Sequence, residues 1–395
     1  MSILQFIKDF FNKIMHKNSH EIKSCARKLK VLSVIKYRQT YDSKDTYSHG
    51  GGMSSGLLNS AQMVVNMLND LGINGEECEA KLAEVIDNNC IDKHVFAFKP
   101  DVVIIEAVWV VPEKFDVLVK LHPKVKWIIR NHSNIPFLAQ EGQAMGWLEK
   151  YITHKNVYIA SNTPGSVDDL KDLVTQTVTE SQRRIAADKV VFFPNYYKSK
   201  VESVWQYRED ADDIHISCFG AVRPLKNHLQ QAFAAIRFAR KLNKKLYFHI
   251  NSGRLESGGE PIIRNLRNLF ANSVDSVLIE EKWMPHDDFV RHIAKMDLSV
   301  QVSFSETFNI VSADAVMQGV PVVVSDEIFW VNREYHAIPT STDSIVEKME
   351  KAYFDSRLGD HDENKKGLHH YNSESHRSIS NTIVDVVNSY DVFGN

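Results

Sequence analysis

The stretch spanning residues 298–326 says most about the fold. Residues 298–302 form a short apolar run of strand length, 308–317 repeat their apolar positions at helical spacing, and 320–324 form a second apolar run. This is a strand–helix–strand unit, the repeating element of a parallel sheet covered on both faces. The alternation recurs along the chain, with apolar runs at 28–36, 99–107, 126–130, 156–163, 190–196, 214–220, 245–251 and 277–284. A right-handed, doubly wound α/β architecture is the expectation. At 395 residues the chain is long for one core and comfortable for two domains. The polar, charged stretch from Tyr196 to Asp213 marks the boundary.

Between the strand and helix of that unit lies Ser303-Phe304-Ser305-Glu306-Thr307. A helix start presents unsatisfied N–H groups and a partial positive charge, which suits a phosphate. Asp314 follows Glu306 by eight residues, about 80 degrees around a helix, so both acids are expected to face one cleft. Upstream, the strand at 214–220 runs into Gly220, then Arg223 and Lys226, ahead of a long helix from about 229 to 242. A planar guanidinium and a mobile ammonium after a glycine make a diphosphate clamp. In the first half, the strand at 28–36 leads into His49-Gly50-Gly51-Gly52-Met53, a turn that brings backbone close to a ligand. It fits neither G-x-G-x-x-G nor G-x-x-x-x-G-K-[ST], which removes support for dinucleotide and P-loop readings. His132 stands at the end of the 126–130 strand, where the crevice of an open parallel sheet lies. Ser166 is expected to cap a helix over 167–178.

Composition narrows the partners. A formal charge of −3 gives no global attraction to nucleic acid or anionic membrane, although Lys28, Lys30, Lys36, Arg38 and Lys44 form a modest basic set. Cys25, Cys78, Cys90 and Cys218 include no C-x-x-C pair and read as free thiols of a reducing compartment, so a cytoplasmic location is expected. Residues 3–15 have an amphipathic pattern, suited to docking on the body, on a second subunit or peripherally on a membrane. No metal site is expected: His16 and His20 lack a third ligand, and Asp360-His361-Asp362 has no strand before it.

The acid at 306, Phe308-Asn309-Ile310 at the helix start, the second acid at 314 and Gly319-Val320-Pro321 together resemble the E-x7-E signature of retaining GT-B glycosyltransferases of family 4. The resemblance is specific over 214–326, moderate over 30–56 and poor on the acceptor side. It implies two Rossmann-like domains facing across a cleft: an acceptor domain over 26–200 after an N-terminal helix (1–25), and a nucleotide-sugar domain over 213–370. A C-terminal helix, 378–395, would cross back to the first domain. It further implies that Glu306 contacts the donor sugar and that the amides at Phe308, Asn309 and Ile310 hold the diphosphate. Arg223 and Lys226 would neutralise the leaving group, and Asp314, one methylene shorter than the usual Glu, would hold the ribose. Gly51 and Gly52 match the family's glycine pair, Asn251 and Gly253 the turn beneath the base, Met284 the segment that reads the base edge, and His132 an active-site histidine. The implied reaction moves a sugar with retention from a nucleotide sugar, UDP- or GDP-linked, to a hydroxyl of a glycan, a lipid-linked glycan or a modified DNA base, without metal or other cofactor. A nucleotide-sugar 2-epimerase of the same architecture and a catalytically idle nucleotide-sugar binder are the alternatives.

Overall fold

The computed structural model describes Gln5, Lys8, Asp9 and residues 28–37, 55–203, 205–206, 208, 211–256, 258–358 and 362–389. Gly51, Gly52, Cys25, Arg38, Lys44, His16, His20 and His361 lie outside the described residues, as does most of the amphipathic segment; Gln5, Lys8 and Asp9 are helical. Contacts divide the chain into two compact units. Among the described residues the amino-terminal unit comprises Lys8, Asp9, 28–37, 55–197 and 372–389, and the carboxy-terminal unit comprises Gln5 and the described residues between 198 and 371.

The amino-terminal unit is built on β1 (Leu29–Lys36), β2 (Cys78–Val85), β3 (Val102–Glu106), β4 (Lys126–Asn131), β5 (Val157–Ser161) and β6 (Val190–Phe192). Its helices are α1 (Ser55–Leu71), α2 (Ile91–Phe98), α3 (Phe115–Leu121), α4 (Ala144–Tyr151) and α5 (Pro164–Gln176). The strands pair in parallel in the order β2-β1-β3-β4-β5-β6. Every residue of β3, β4 and β5 is buried, which is why their apolar residues fall consecutively rather than alternating. Ser166 does not cap α5. Thr163 occupies the cap position with Pro164 at the first helical residue, and the Ser166 hydroxyl donates to Asn134 Oδ1 at 2.6 Å.

The carboxy-terminal unit carries β7 (Asp213–Cys218), α6 (His228–Lys241), β8 (Lys245–Asn251), α7 (Gly259–Phe270), β9 (Ser276–Glu281), α8 (His286–Ile293), β10 (Leu298–Gln301), α9 (Ile310–Gln318), β11 (Val322–Val324) and α10 (Thr342–Leu358). Its five parallel strands run β11-β10-β7-β8-β9. The final helix, α11 (Asp362–Asn388), is one 27-residue element; it includes the polar stretch up to His376 that the sequence pattern left non-helical. Its buried residues Leu368, Tyr371, Ser375, Ser378 and Ile379 recur at three- and four-residue steps, a stripe blurred by serines. Ile379, Ile383 and Val386 join the core of the amino-terminal unit, and Lys126 Nζ donates to the Ser389 carbonyl at 2.8 Å.

The sequence expectation for α9 needs one correction. The helix begins at Ile310, capped by Asn309, not at Phe308. Phe308 is 2% exposed, with its ring stacked on Trp330 at 5.6 Å and Tyr371 at 5.2 Å between centroids, and its carbonyl accepts from Trp330 Nε1. Its side chain is therefore a packing element rather than a ligand contact. Phe308→Ala is expected to cost about 3–5 kcal/mol of stability, and Phe308→Leu considerably less, as read by urea unfolding of the whole chain.

Candidate functional site

In each sheet the strand order reverses next to the first strand, and ligands of open α/β sheets bind beyond the carboxyl ends of the strands at such points. In the carboxy-terminal unit the reversal lies between β7 and β10. The segments that leave these two strands carry the candidate residues. After β7 come Phe219 and Gly220, the latter at φ +115, where the Lys226 side chain passes about 3.5 Å from the position of a Cβ. A side chain at 220 would be strained by the backbone alone. Arg223 precedes a single turn, Pro224–Lys226, and Asn227 follows in the left-handed region.

After β10 the chain passes Val302 and Ser303 to Glu306. The Glu306 carboxylate lies 2.5 Å from Lys226 Nζ and 3.7 Å from the Arg223 guanidinium, and its side chain is 8% exposed. Arg223 also bonds Glu256 at 2.6 Å, and Arg254 bonds the other oxygen of Glu256 at 2.5 Å. Burial pushes the Glu256 carboxyl up, but the charges of Arg254 and Arg223 outweigh it and hold the group below its ordinary range. The two expected clamp cations thus stand together with two carboxylates. The sequence reading did not single out Glu256; an acid two residues after Arg254, in a Gly/Ser-rich loop, gave no pattern to notice.

A polar framework holds these segments in place. Gln301 accepts from Asn309 Nδ2 at 3.0 Å and donates to the Phe219 carbonyl at 2.8 Å, and the Phe304 amide donates to the Leu225 carbonyl at 2.8 Å. Asn227 Nδ2 donates to the carbonyls of Val302 and Pro339. The Asn309 side chain takes the Ser312 amide at 2.9 Å, whereas the amides of Ile310 and Val311 have no carbonyl one turn earlier to bond. The Ser303 and Ser312 hydroxyls are fully buried and have no hydrogen-bond partner among the described residues. Donors, cations and a helix start converge here as a diphosphate would need.

Glu306 lies ahead of the helix, so a helical wheel does not relate it to Asp314. Asp314 is 1% exposed and accepts from His286 Nε2 at 2.8 Å. Burial alone would lower the His286 pKa, but the hydrogen bond and charge of Asp314, with Asp287, raise it above the ordinary value. Asn251 accepts from the Gly220 amide at 2.9 Å, tying the ends of β8 and β7 together. A Cβ at Gly253 would meet the Trp283 amide at 3.6 Å, an ordinary contact, so bulk does not demand glycine there. Met284 is half-buried in the segment joining β9 to α8.

In the amino-terminal unit the reversal lies between β1 and β3, and a cavity of about 140 Å³ opens there, lined by Ile35, Lys36, Leu57, Glu106, Trp109 and Asn131 among others. His132 follows β4, and its Nε2 lies 2.8 Å from Glu106 Oε2. Glu106 is fully buried; it accepts from Ser33 Oγ at 3.0 Å and from Arg130 at 3.3 Å. Burial raises its pKa, but Arg130, His132 and Ser33 overcome this and keep it ionised. Burial and Arg130 lower the His132 pKa against the pull of Glu106. The imidazole is therefore neutral, donating through Nε2–H. Glu106 and Arg130, facing each other across β3 and β4, were missed by the sequence reading. Their signal was a single charge closing each apolar run.

His228 supplies a pH test. It opens α6, is 1% exposed with neither ring nitrogen bonded among the described residues, and burial followed by the Lys226 and Arg223 charges lowers its pKa to about 3. The unfolded chain then binds the extra proton between about pH 6.5 and 3, so stability present above 6.5 falls with acidification, by up to about 1.4 kcal/mol per pH unit. His228→Leu is expected to flatten the acid limb of the urea midpoint across that window.

No family model and no curated protein matches the sequence. Solved structures do match in fold. The UDP-forming α,α-trehalose-phosphate synthase of Burkholderia vietnamiensis is 11% identical, with a TM-score of 0.61 over 91% of this chain and 97% of that one. Sucrose-phosphate synthase of Thermosynechococcus elongatus is 14% identical, with a TM-score of 0.51 over 75% and 74%. S. aureus TarM, solved with fondaparinux, α-GlcNAc-glycerol and UDP, is 11% identical, with a TM-score of 0.50; the match covers 73% of this chain and 55% of TarM. The fold is GT-B, as the sequence resemblance implied.

Proposed function

We propose that the chain is a retaining glycosyltransferase that takes a nucleoside-diphosphate sugar, UDP- or GDP-linked, as donor and a saccharide hydroxyl as acceptor, and that needs no metal for the diphosphate. The observation that carries this reading is the convergence of Lys226, Arg223 and Glu306 before α9 in a GT-B fold. As the glycosidic bond breaks, negative charge grows on the leaving phosphate; Lys226, Arg223 and the first α9 amides supply positive potential there. Glu306, drawn to both cations without ligand, would turn to donor-sugar hydroxyls once the diphosphate replaces it. His286 with Asp314 is suited to ribose hydroxyls, and the 282–284 segment to the base edge. Fold neighbours supply the donor class and stereochemistry by analogy: two are UDP-forming or UDP-bound, and a trehalose-6-phosphate synthase, 11% identical with a TM-score of 0.56, was studied for glycosyl transfer with retention.

The amino-terminal cavity would hold the acceptor. Trp109 offers an aromatic wall, and Glu106, held by His132, Arg130 and Ser33, presents a carboxylate to the same cavity. A DNA acceptor finds less support, since Lys28 and Lys30 are paired with Glu77 and Glu79. The epimerase alternative would use Glu106 for proton transfer, a task opposed by the three donors that keep it ionised. No described helix is long and apolar enough to cross a membrane, and Cys78, Cys90 and Cys218 are free thiols, compatible with the cytoplasm.

A thermal-shift panel of UDP, GDP, ADP, CMP and their sugars, without added divalent metal, tests the reading. One nucleotide at 100 times its dissociation constant should add about 2.7 kcal/mol, and Lys226→Ala should abolish the gain. Glu306→Gln should keep nucleotide binding while lowering turnover by about 10²–10³-fold, and NMR of the product should show the donor's anomeric configuration. No shift with any nucleotide refutes the donor site, and an inverted product refutes retention.

A further inference from the structure

Three side chains from three elements meet on the far flank of the carboxy-terminal sheet. His249 comes from the middle of β8, Glu281 ends β9 and His292 lies on α8. One oxygen, Glu281 Oε1, faces His249 Nδ1 at 2.9 Å and His292 Nε2 at 3.0 Å, and the three ligand atoms all lie within 4.8 Å of one another. Among the described residues this is the single convergence of three metal-ligating side chains. Nitrogen and oxygen ligands around tetrahedral zinc stand about 3.3 Å apart, so small movements would admit an ion.

The surroundings point the same way. Among the described residues no lysine or arginine pairs with Glu281; its charge partners are the two imidazoles, while its neighbour Glu280 pairs with Arg267. His249 is buried, with its other nitrogen, Nε2, 2.9 Å from His215 Nδ1. When His249 donates from Nε2, its Nδ1 lone pair faces a carboxylate oxygen, an arrangement that a cation between them satisfies. His215 is then the outer partner that fixes the tautomer, as metal-ligating imidazoles require. Phe219 borders both histidines, with ring centroids 6.4 and 5.9 Å away. The Glu281 and His292 side chains are 18% and 20% exposed, leaving a way in from solvent.

We propose that His249, Glu281 and His292 bind a divalent transition metal of the zinc type, which fastens β8, β9 and α8 on either side of the segment 282–285. Two imidazoles and a carboxylate form a donor set that zinc accepts with one coordination position left for water. The site is distinct from the diphosphate chemistry and stands whether or not the donor reading holds.

The test is Zn²⁺ titration of the tag-free full-length chain after chelator dialysis, followed by calorimetry and by the absorption of a Co²⁺ substitute. One ion per chain, a tetrahedral cobalt spectrum and a raised unfolding temperature are expected. His292→Gln and Glu281→Gln, each checked for an unchanged circular dichroism spectrum, should lose that ion, and His215→Ala should weaken it by about 10–100-fold. Absence of stoichiometric binding, or binding that persists unchanged in both His292→Gln and Glu281→Gln, overturns the proposal.

Discussion

An ammonium with about a tenth of its side chain exposed does not persist without a counter-charge, and Lys226 is such a group. Its partner Glu306 arrives from a different strand, so the pair binds the loop after β7 to the loop after β10. The neutral contacts around them serve that end. Gln301, Asn309, Asn227 and Gln231 each link the two loops or their adjoining strand and helix. On the proposed reading, a diphosphate would meet cations already positioned and would displace a carboxylate rather than reorganise a loop.

The amino-terminal unit meets the same constraint with a different answer. A parallel sheet buried on both faces leaves little polar freedom except at the strand ends, so a buried Glu106 requires Arg130, Ser33 and His132 around it. Arg130 in turn donates to the Pro194 carbonyl and Asn195, whose amide reaches Ser60 on α1. The charge at the cavity wall is thereby tied to the turn that closes the unit. In the carboxy-terminal unit the ion pair joins the loops after β7 and β10, between which the strand order reverses, whereas in the amino-terminal unit Glu106 ends β3, which flanks the reversal, and pairs across to Arg130 on β4.

What the sequence disclosed follows from which interactions are local. Apolar runs located every strand of both sheets except β2, because burial on both faces leaves a continuous signal that this edge strand, with its broken burial pattern, lacks. The loop cations at 223 and 226 and the acid at 306 were legible because each lies within a few residues of a glycine or a helix start. The start of α9 was misplaced by two residues because Phe308 is as apolar as a helix position while packing against Trp330 and Tyr371, which are distant in sequence. The His286 partner of Asp314 was not foreseen for the same reason: it lies 28 residues away. Glu106, Arg130 and Glu256 were not legible because their meaning depends on register between strands.

The segment 282–285 shows how such distant contacts shape one surface. It joins Glu281, the last residue of β9, to His286, the first of α8. His286 pins the start of α8 to Asp314 on α9, while His292 pins its end to Glu281, which is itself held by His249 on β8. The two histidines are six positions apart, so they leave α8 on different faces. A helix held on two faces cannot rotate, and a four-residue connection between held ends has little room to wander. Trp283, 52% exposed on that connection, and the half-buried Met284 are therefore presented in a fixed setting beside the turn at Gly253.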